Sequence, residues 1–223
     1  MFAKSVNLAS KDLRLVFLSG NGFVQAVLLG FLLIFVFSIA GSKGAEPHPR
    51  WISAIFWLAT SFSLVLIFNN LYAMEEENET RQGLLIAPVP LQSIWLGKTI
   101  AGALLLLLVQ LLFLPAEIVF LDISQASSWQ GIFLLIPLVD WGLVVLGSLL
   151  GGIASGENSR DSLLTIIIFP LLLPLLLAGI KIGEALLSSG GGEQIYSWYT
   201  MIIAFDLIFT GAALILFPFV FSE

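Results

Sequence analysis

The sequence predicts an all-α membrane protein that crosses the bilayer six times. The first observation is its composition: 58% of the 223 residues are hydrophobic and 11% are charged, whereas average soluble domains carry about 25% charged residues. The second is that these few charges are bunched, which leaves uncharged stretches at 15–42, 51–74, 99–116 and 162–180. Each stretch can cross a bilayer, because roughly 17 to 25 apolar residues span the hydrocarbon core as a helix.

Residues 1–20 predict an amphipathic helix that lies in the membrane interface. Apolar residues recur at steps of four and three, which places them on one helix face; they are Phe2, Val6, Ala9, Leu13 and Val16. Basic residues occupy the other face, so the helix is expected at the level of the lipid head groups. A cleaved signal peptide is not expected, because the apolar character continues to Ala40.

Six apolar segments follow, and each is predicted to be a transmembrane helix. A helix satisfies its own backbone hydrogen bonds in lipid, and these segments lack the period of two that a membrane barrel strand requires. Their predicted bounds are 23–40, 51–72, 99–121, 129–154, 163–187 and 196–219.

Basic residues in the loops predict the orientation. With the N-terminus in the cytoplasm, six basic residues lie on the cytoplasmic side and three on the other, which satisfies the excess of Lys and Arg expected inside. The six are Lys4, Lys11, Arg14, Arg81, Lys98 and Arg160, and the three are Lys43, Arg50 and Lys181. An even number of spans then places the C-terminus in the cytoplasm as well.

The longest cytoplasmic loop, residues 73–98, differs from the others. A cluster of acids precedes the short apolar stretch 83–87, and Pro88 and Pro90 follow it; the acids are Glu75, Glu76, Glu77 and Glu79. Negative charge favours a helix N-terminus, and the leucines of the apolar stretch have no evident reason to face water. The pattern predicts a short cytoplasmic helix that offers apolar surface to a partner, with a simple solvated loop as the alternative.

Three acidic residues lie within the predicted spans: Glu117, Asp140 and Asp206. Such residues are costly in lipid and are therefore functional candidates. Glu117 and Asp206 are expected within a turn or two of a span end, which leaves open either a polar contact between helices or snorkelling of the side chain. Asp140 is more central, and is a candidate for a polar cavity or for proton or substrate handling.

The residue inventory argues against several kinds of site. The chain has no Cys and a single His, His48, so a thiolate or zinc site is not expected. Residues 97–99 read Gly-Lys-Thr, but the earlier glycine and the strand of a phosphate-binding loop are missing. The net charge of −6 argues against nucleic acid as a partner. We expect no catalytic residue and no cofactor bound by this chain.

Residues 69–115 carry a more specific pattern. It comprises Asn-Asn-Leu-Tyr-Ala at 69–73, Glu77, Thr80, Gly-Leu-Leu-Ile-Ala-Pro at 83–88, Ile-Trp-Leu-Gly-Lys at 94–98 and Leu-Leu-Phe-Leu-Pro at 111–115. With Lys-Asp-Leu-Arg at 11–14 and the last span from Ala204 to Val220, the chain resembles the haem exporter protein B family. That family is the permease subunit of the ABC-type complex of cytochrome c maturation.

The resemblance implies a single permease domain over 1–223 in the bacterial inner membrane. The loop 73–98 would be a coupling helix that binds a separate ATPase subunit, itself a dimer, through Glu75, Glu76, Glu77, Thr80, Gly83, Leu84 and Leu85. ATP would be bound by that partner and haem handled by the complex. Other cytochrome c maturation membrane subunits and a haem chaperone would also be partners, and the driven step would be either haem export or release of the haem-loaded chaperone.

Two other functions remain as alternatives. One is a secondary transporter that uses Asp140 as a proton or ion site, and the other is a membrane scaffold that transports nothing. A second copy of the chain is a further candidate partner beside membrane lipid. Small-residue pairs on the fourth and fifth spans favour close packing within the chain over a dimer interface; they are Gly147/Gly151, Gly152/Gly156 and Gly179/Gly183.

Overall fold

A computed structural model describes residues 2–41, 48–77, 83, 86, 88–123, 128–154, 160–188 and 195–222. Its elements are the helices α1 (Phe2–Ser19), α2 (Asn21–Ala40), α3 (Pro49–Glu77), α4 (Leu91–Phe120), α5 (Trp129–Ala154), α6 (Arg160–Leu187) and α7 (Ile195–Ser222). Six of them, α2 to α7, are long and apolar enough to cross a membrane. The prediction of an all-α protein with six spans is confirmed.

Two spans are longer than the apolar runs predict. Helix α3 continues to Glu77, and α4 begins at Leu91, eight residues before the predicted start. The residue before α4, Pro90, has an extended backbone with φ −60° and ψ 136°, in keeping with the fixed φ of proline. The added turns contain the charged residues Glu75 and Lys98, which are buried against each other. Bounds drawn where the apolar run stops therefore make both spans too short.

Helices α3, α4 and α5 form the centre of the bundle around Phe68, a fully buried ring of α3. A Cβ atom on Gly102 of α4 would lie 2.3 Å from this ring, and one on Gly147 of α5 would lie 2.4 Å from it. Only glycine lets both backbones approach so closely. Helix α3 also meets α2, where Ser63 Oγ donates a 2.9 Å hydrogen bond to the carbonyl of Ala26.

The glycines of α5 and α6 pack against side chains of the same chain. Gly151 faces Tyr72, Gly152 faces Phe217, and Gly179 and Gly183 face Trp57 and Ser53 respectively. This confirms packing within the chain for those glycines, while Gly156 lies outside the described residues.

Helix α1 packs along the start of α4. A Cβ atom on Gly97 would lie 2.9 Å from Leu8 Cβ and 3.1 Å from the carbonyl oxygen of Ser5. The buried face of α1 consists of Ser5, Ala9, Asp12 and Val16, whereas Phe2 is 69% exposed. The predicted apolar stripe is thus divided: Ala9 lies against α4 at Gly97, whereas Phe2 and Val6 are exposed. The position of α1 in the membrane interface stays a prediction.

Candidate functional site

Lys98 is buried where α3 ends and α4 begins. The residue is 1% exposed. Its Nζ lies 2.7 Å from Glu75 Oε1 and 3.3 Å from Asp12 Oδ2. The same Nζ donates a 2.7 Å hydrogen bond to the carbonyl of Leu71. Three helices therefore meet at one ammonium group.

A partly exposed residue, Lys11, completes a charge cluster whose other three members are buried; the four are Lys11, Asp12, Glu75 and Lys98. Lys11 Nζ lies 3.0 Å from Asp12 Oδ1 and 3.5 Å from Glu75 Oε1. Burial lowers the pKa of Lys11, but the charges and hydrogen bonds of Asp12 and Glu75 raise it by more, so that it lies above its usual value. Two ammonium groups balance two carboxylates, which is the condition under which buried charges are tolerated.

Tyr72 connects the charge cluster to α5. Its ring centroid lies 5.1 Å from Lys98 Nζ, within the range of a cation–π interaction. Its hydroxyl donates a 2.7 Å hydrogen bond to the carbonyl of Ser148. Four helices, α1, α3, α4 and α5, are thus joined by polar contacts at this side of the bundle.

The charge cluster connects both flanks of the loop 73–98. Glu75 belongs to the incoming helix and Lys98 to the outgoing helix, while the Asp12 carboxylate of α1 binds Lys98. A further contact joins α1 to the loop exit, since Lys4 Nζ donates a 2.7 Å hydrogen bond to the carbonyl of Pro88. The ends of the loop are therefore held to each other and to α1.

Asp140 lies in the middle of α5 and is 2% exposed. Gln110 of α4 donates a 2.8 Å hydrogen bond from Nε2 to Asp140 Oδ1. The other oxygen of each side chain, Gln110 Oε1 and Asp140 Oδ2, has no hydrogen-bond partner among the described residues. The pair is a polar contact between two central helices.

Neither Glu117 nor Asp206 snorkels to a span end. Both are buried, and Asp206 is eleven residues into α7, so its expected place within a turn or two of a span end is wrong. Its Oδ1 lies over Gly142, where a Cβ atom would be 2.4 Å away. Glu117 lines a separate cavity between α3, α4, α5 and α6. Asp206 therefore packs against α5 at Gly142, whereas Glu117 lines a different site.

The sequence model of the family described as CcmB protein matches residues 3–223, nearly the whole chain. The chain belongs to the CcmB family. Heme exporter protein B of Rhodobacter capsulatus is 28% identical over 178 residues, which cover 78% of this chain and 80% of the relative. Heme exporter protein B of Paracoccus denitrificans is 28% identical over 177 residues, which cover 78% of this chain and 79% of the relative. The resemblance predicted from the motifs is confirmed.

The predicted ATPase contacts of this CcmB-family protein are only partly described. Glu75 is buried in the charge cluster, so it cannot meet a partner directly, and its place in the predicted contact set is corrected. The side chains of Glu76 and Glu77 lie outside the described residues, as do Thr80, Leu84 and Leu85. Gly83 and Ile86 have helical backbones, and Ile86 is 85% exposed.

The sequence analysis did not identify Lys98 as a site residue and counted it only among the basic residues on the cytoplasmic side, at the start of the third span. In this CcmB-family chain Lys98 is instead the eighth residue of α4 and is buried. The available signal was complementary charge: a Lys-Asp pair in α1, an acid at one flank of the loop and a lysine at the other. Within the part of the chain that the structure describes, no three His, Cys, Asp or Glu residues are grouped as metal ligands.

Proposed function

We propose that this CcmB-family protein is the permease subunit of an ABC-type complex in the bacterial inner membrane, with both termini in the cytoplasm. The sequence contains no phosphate-binding motif, so ATP would be bound by a separate ATPase subunit, itself a dimer. The loop 73–98 is the proposed docking segment. The exposed apolar side chain of Ile86 supports this role, because covering an apolar surface with a partner removes it from water, which lowers the free energy.

The charge cluster is the observation that carries the proposal. It holds the incoming flank, the outgoing flank and α1 together through contacts of 2.7 to 3.5 Å. When the ATPase closes on ATP, a docked segment moves with it as a rigid body. Because both flanks share one set of ion pairs, that movement would reach α3 and α4 together.

The contact residues in this proposal are Glu76, Glu77, Thr80, Gly83, Leu84 and Leu85. The acids would meet basic side chains of the ATPase, and the leucines would be buried against it. Glu75 has a positioning role, because it fixes the direction in which the last turn of α3 leaves the bundle.

The names of the two relatives support haem as the group that the complex handles. The step driven by ATP would be haem export or release of a haem-loaded chaperone, and other cytochrome c maturation membrane subunits would be partners. A second copy of this chain would pair with the second ATPase of the dimer. Membrane lipid would surround the remaining surface.

Charge reversal in the docking segment tests the contact. We expect Glu76→Lys with Glu77→Lys, or Leu84→Asp alone, to abolish co-purification of the ATPase subunit in mild detergent, because each change opposes a complementary surface. The matched control is Glu184→Lys, which reverses an acid at the far side of the bundle where it pairs with Lys181 at 3.2 Å. Membrane insertion should be equal in all variants. Unchanged co-purification of both docking variants would remove the proposed contact.

A further inference from the structure

A cavity of about 50 Å³ lies between α3, α4, α5 and α6, at the side of the bundle opposite the charge cluster. Helix α3 separates the two sites: Ser53 lines the cavity and Glu75 lies twenty-two residues later, roughly 30 Å along a helix axis. The polar and aromatic residues that line the cavity are Ser53, Phe56, Trp57, Glu117 and Trp129.

Glu117 is the acidic residue of this cavity. It is 3% exposed, and its Oε1 atom has no hydrogen-bond partner among the described residues. No Lys or Arg is among the described residues that line the cavity. A carboxyl group buried in apolar surroundings ionises only when a cation or hydrogen-bond donors offset its lost hydration, and otherwise it holds a proton. A positively charged group from outside the chain would supply that offset at Glu117.

The aromatic residues narrow the kind of cation. Phe56 and Trp57 pack edge to face with centroids 5.1 Å apart, and Trp129 lines the cavity from the start of α5. Aromatic rings combined with a carboxylate recognise organic ammonium groups. A bare Ca²⁺ or Mg²⁺ ion is disfavoured because it takes several oxygen ligands, and the carboxylate would repel an anionic ligand.

Size and position agree with an ammonium group. A water needs roughly 10–15 Å³ of such space, so the cavity admits a group of a few heavy atoms. Ile118 and Trp129 line the cavity and are partly exposed on the outside of the bundle. Both lie within a few residues of a helix end, where lipid head groups are found.

We propose that the Glu117 cavity binds an organic ammonium group, either of a phospholipid head group or of a free amine. Glu117 supplies the counter-charge, and Trp57, Phe56 and Trp129 surround the cation. This inference is independent of the proposed ATPase contact, since it concerns the other side of the bundle.

Equilibrium dialysis of the full-length protein with radiolabelled tetramethylammonium tests the proposal. In nanodiscs of phosphatidylglycerol we expect saturable binding that Glu117→Gln weakens by roughly tenfold or more, because the counter-charge is lost while the shape of the site is kept. The control Asp206→Asn removes another buried carboxylate outside the cavity and should leave binding unchanged. No saturable binding to the wild type, or equal weakening by both variants, would overturn the proposal.

A second pair of variants covers the case in which Glu117→Gln fails to fold. Trp129→Leu should weaken binding, whereas Trp141→Leu, at a partly exposed tryptophan away from the cavity, should not; equal effects would overturn the proposal.

Adding phosphatidylethanolamine to the nanodiscs distinguishes a lipid head group from a free amine as the source of the ammonium group. Loss of tetramethylammonium binding identifies the lipid head group as the occupant, and unchanged binding identifies a free amine.

Discussion

Single buried side chains differ in what their neighbours offer. Lys98 has two carboxylates and a carbonyl within 3.3 Å, whereas Asp140 has one amide donor at 2.8 Å. The first arrangement satisfies a charge, and the second leaves an unpaired acceptor on each partner. The two sites therefore differ in the substitutions that they tolerate.

We expect Asp140→Asn to preserve the thermal stability of the protein. An amide at 140 accepts from Gln110 Nε2 through its oxygen, and its NH2 group replaces the unpaired Asp140 Oδ2 and donates to Gln110 Oε1. Asp140→Ala should lower the unfolding free energy by about 1–3 kcal/mol, because the Gln110 amide then stays buried without a partner. Thermal unfolding in detergent measures both. Proton-coupled uptake by the purified protein that Asp140→Asn abolishes would instead support the secondary transporter.

At the scale of elements, α1 is joined to both flanks of the loop 73–98. Its carboxylate at Asp12 enters the charge cluster, Lys4 holds the loop exit at Pro88, and its backbone approaches α4 at Gly97. These three contacts lie on successive turns of one helix. Displacement of the loop therefore has to move α1 or break buried ion pairs.

Variants in the charge cluster test whether binding of the ATPase can be separated from transmission of its movement to the spans. Lys98→Met leaves Asp12 and Glu75 with only Lys11, and we expect a loss of about 3–5 kcal/mol in unfolding free energy. Adding Glu75→Gln restores charge balance and should recover part of that loss. Both variants should still co-purify with the ATPase but fail to alter its rate of ATP hydrolysis.

The control for these variants is Lys181→Met, at a partly exposed pair on the far side, which should cost about 1 kcal/mol or less. If the double variant Lys98→Met with Glu75→Gln changed the rate of ATP hydrolysis as the wild type does, transmission through the cluster would be contradicted. If the wild-type chain itself had no effect on the rate of ATP hydrolysis, the scaffold function would be favoured.

In the whole molecule, two polar sites lie at opposite sides of an apolar centre. The charge cluster is at the side where the loop 73–98 leaves, and the Glu117 cavity is at the other, with the tight packing around Phe68 between them. Close-packed interiors transmit displacement instead of absorbing it. A movement at the loop would thus displace helices that also line the cavity, since α3 and α4 contribute to both sites.

Orientation can be tested because the sequence has no cysteine. We expect a membrane-impermeant maleimide to label His48→Cys in spheroplasts and to leave Ile86→Cys unlabelled until the membrane is permeabilised. Both native residues are exposed in the structure, so accessibility to water decides the result. If Ile86→Cys were labelled in intact spheroplasts and His48→Cys were not, the orientation would be the opposite of the predicted one.

The sequence by itself determined the number and the order of the spans, because hydrocarbon imposes a length and an apolar composition that can be counted along the chain. The motifs at 69–115, together with residues 11–14 and the last span, also sufficed to identify the family. Only the tertiary structure decided where Lys98, Glu75 and Glu117 lie. A charged residue reads as a span boundary when it is considered alone, and whether it is buried depends on a partner from a distant helix. Lys98 meets its partner Asp12 across 86 positions of sequence, and periodicity within one segment carries no information about such a pairing.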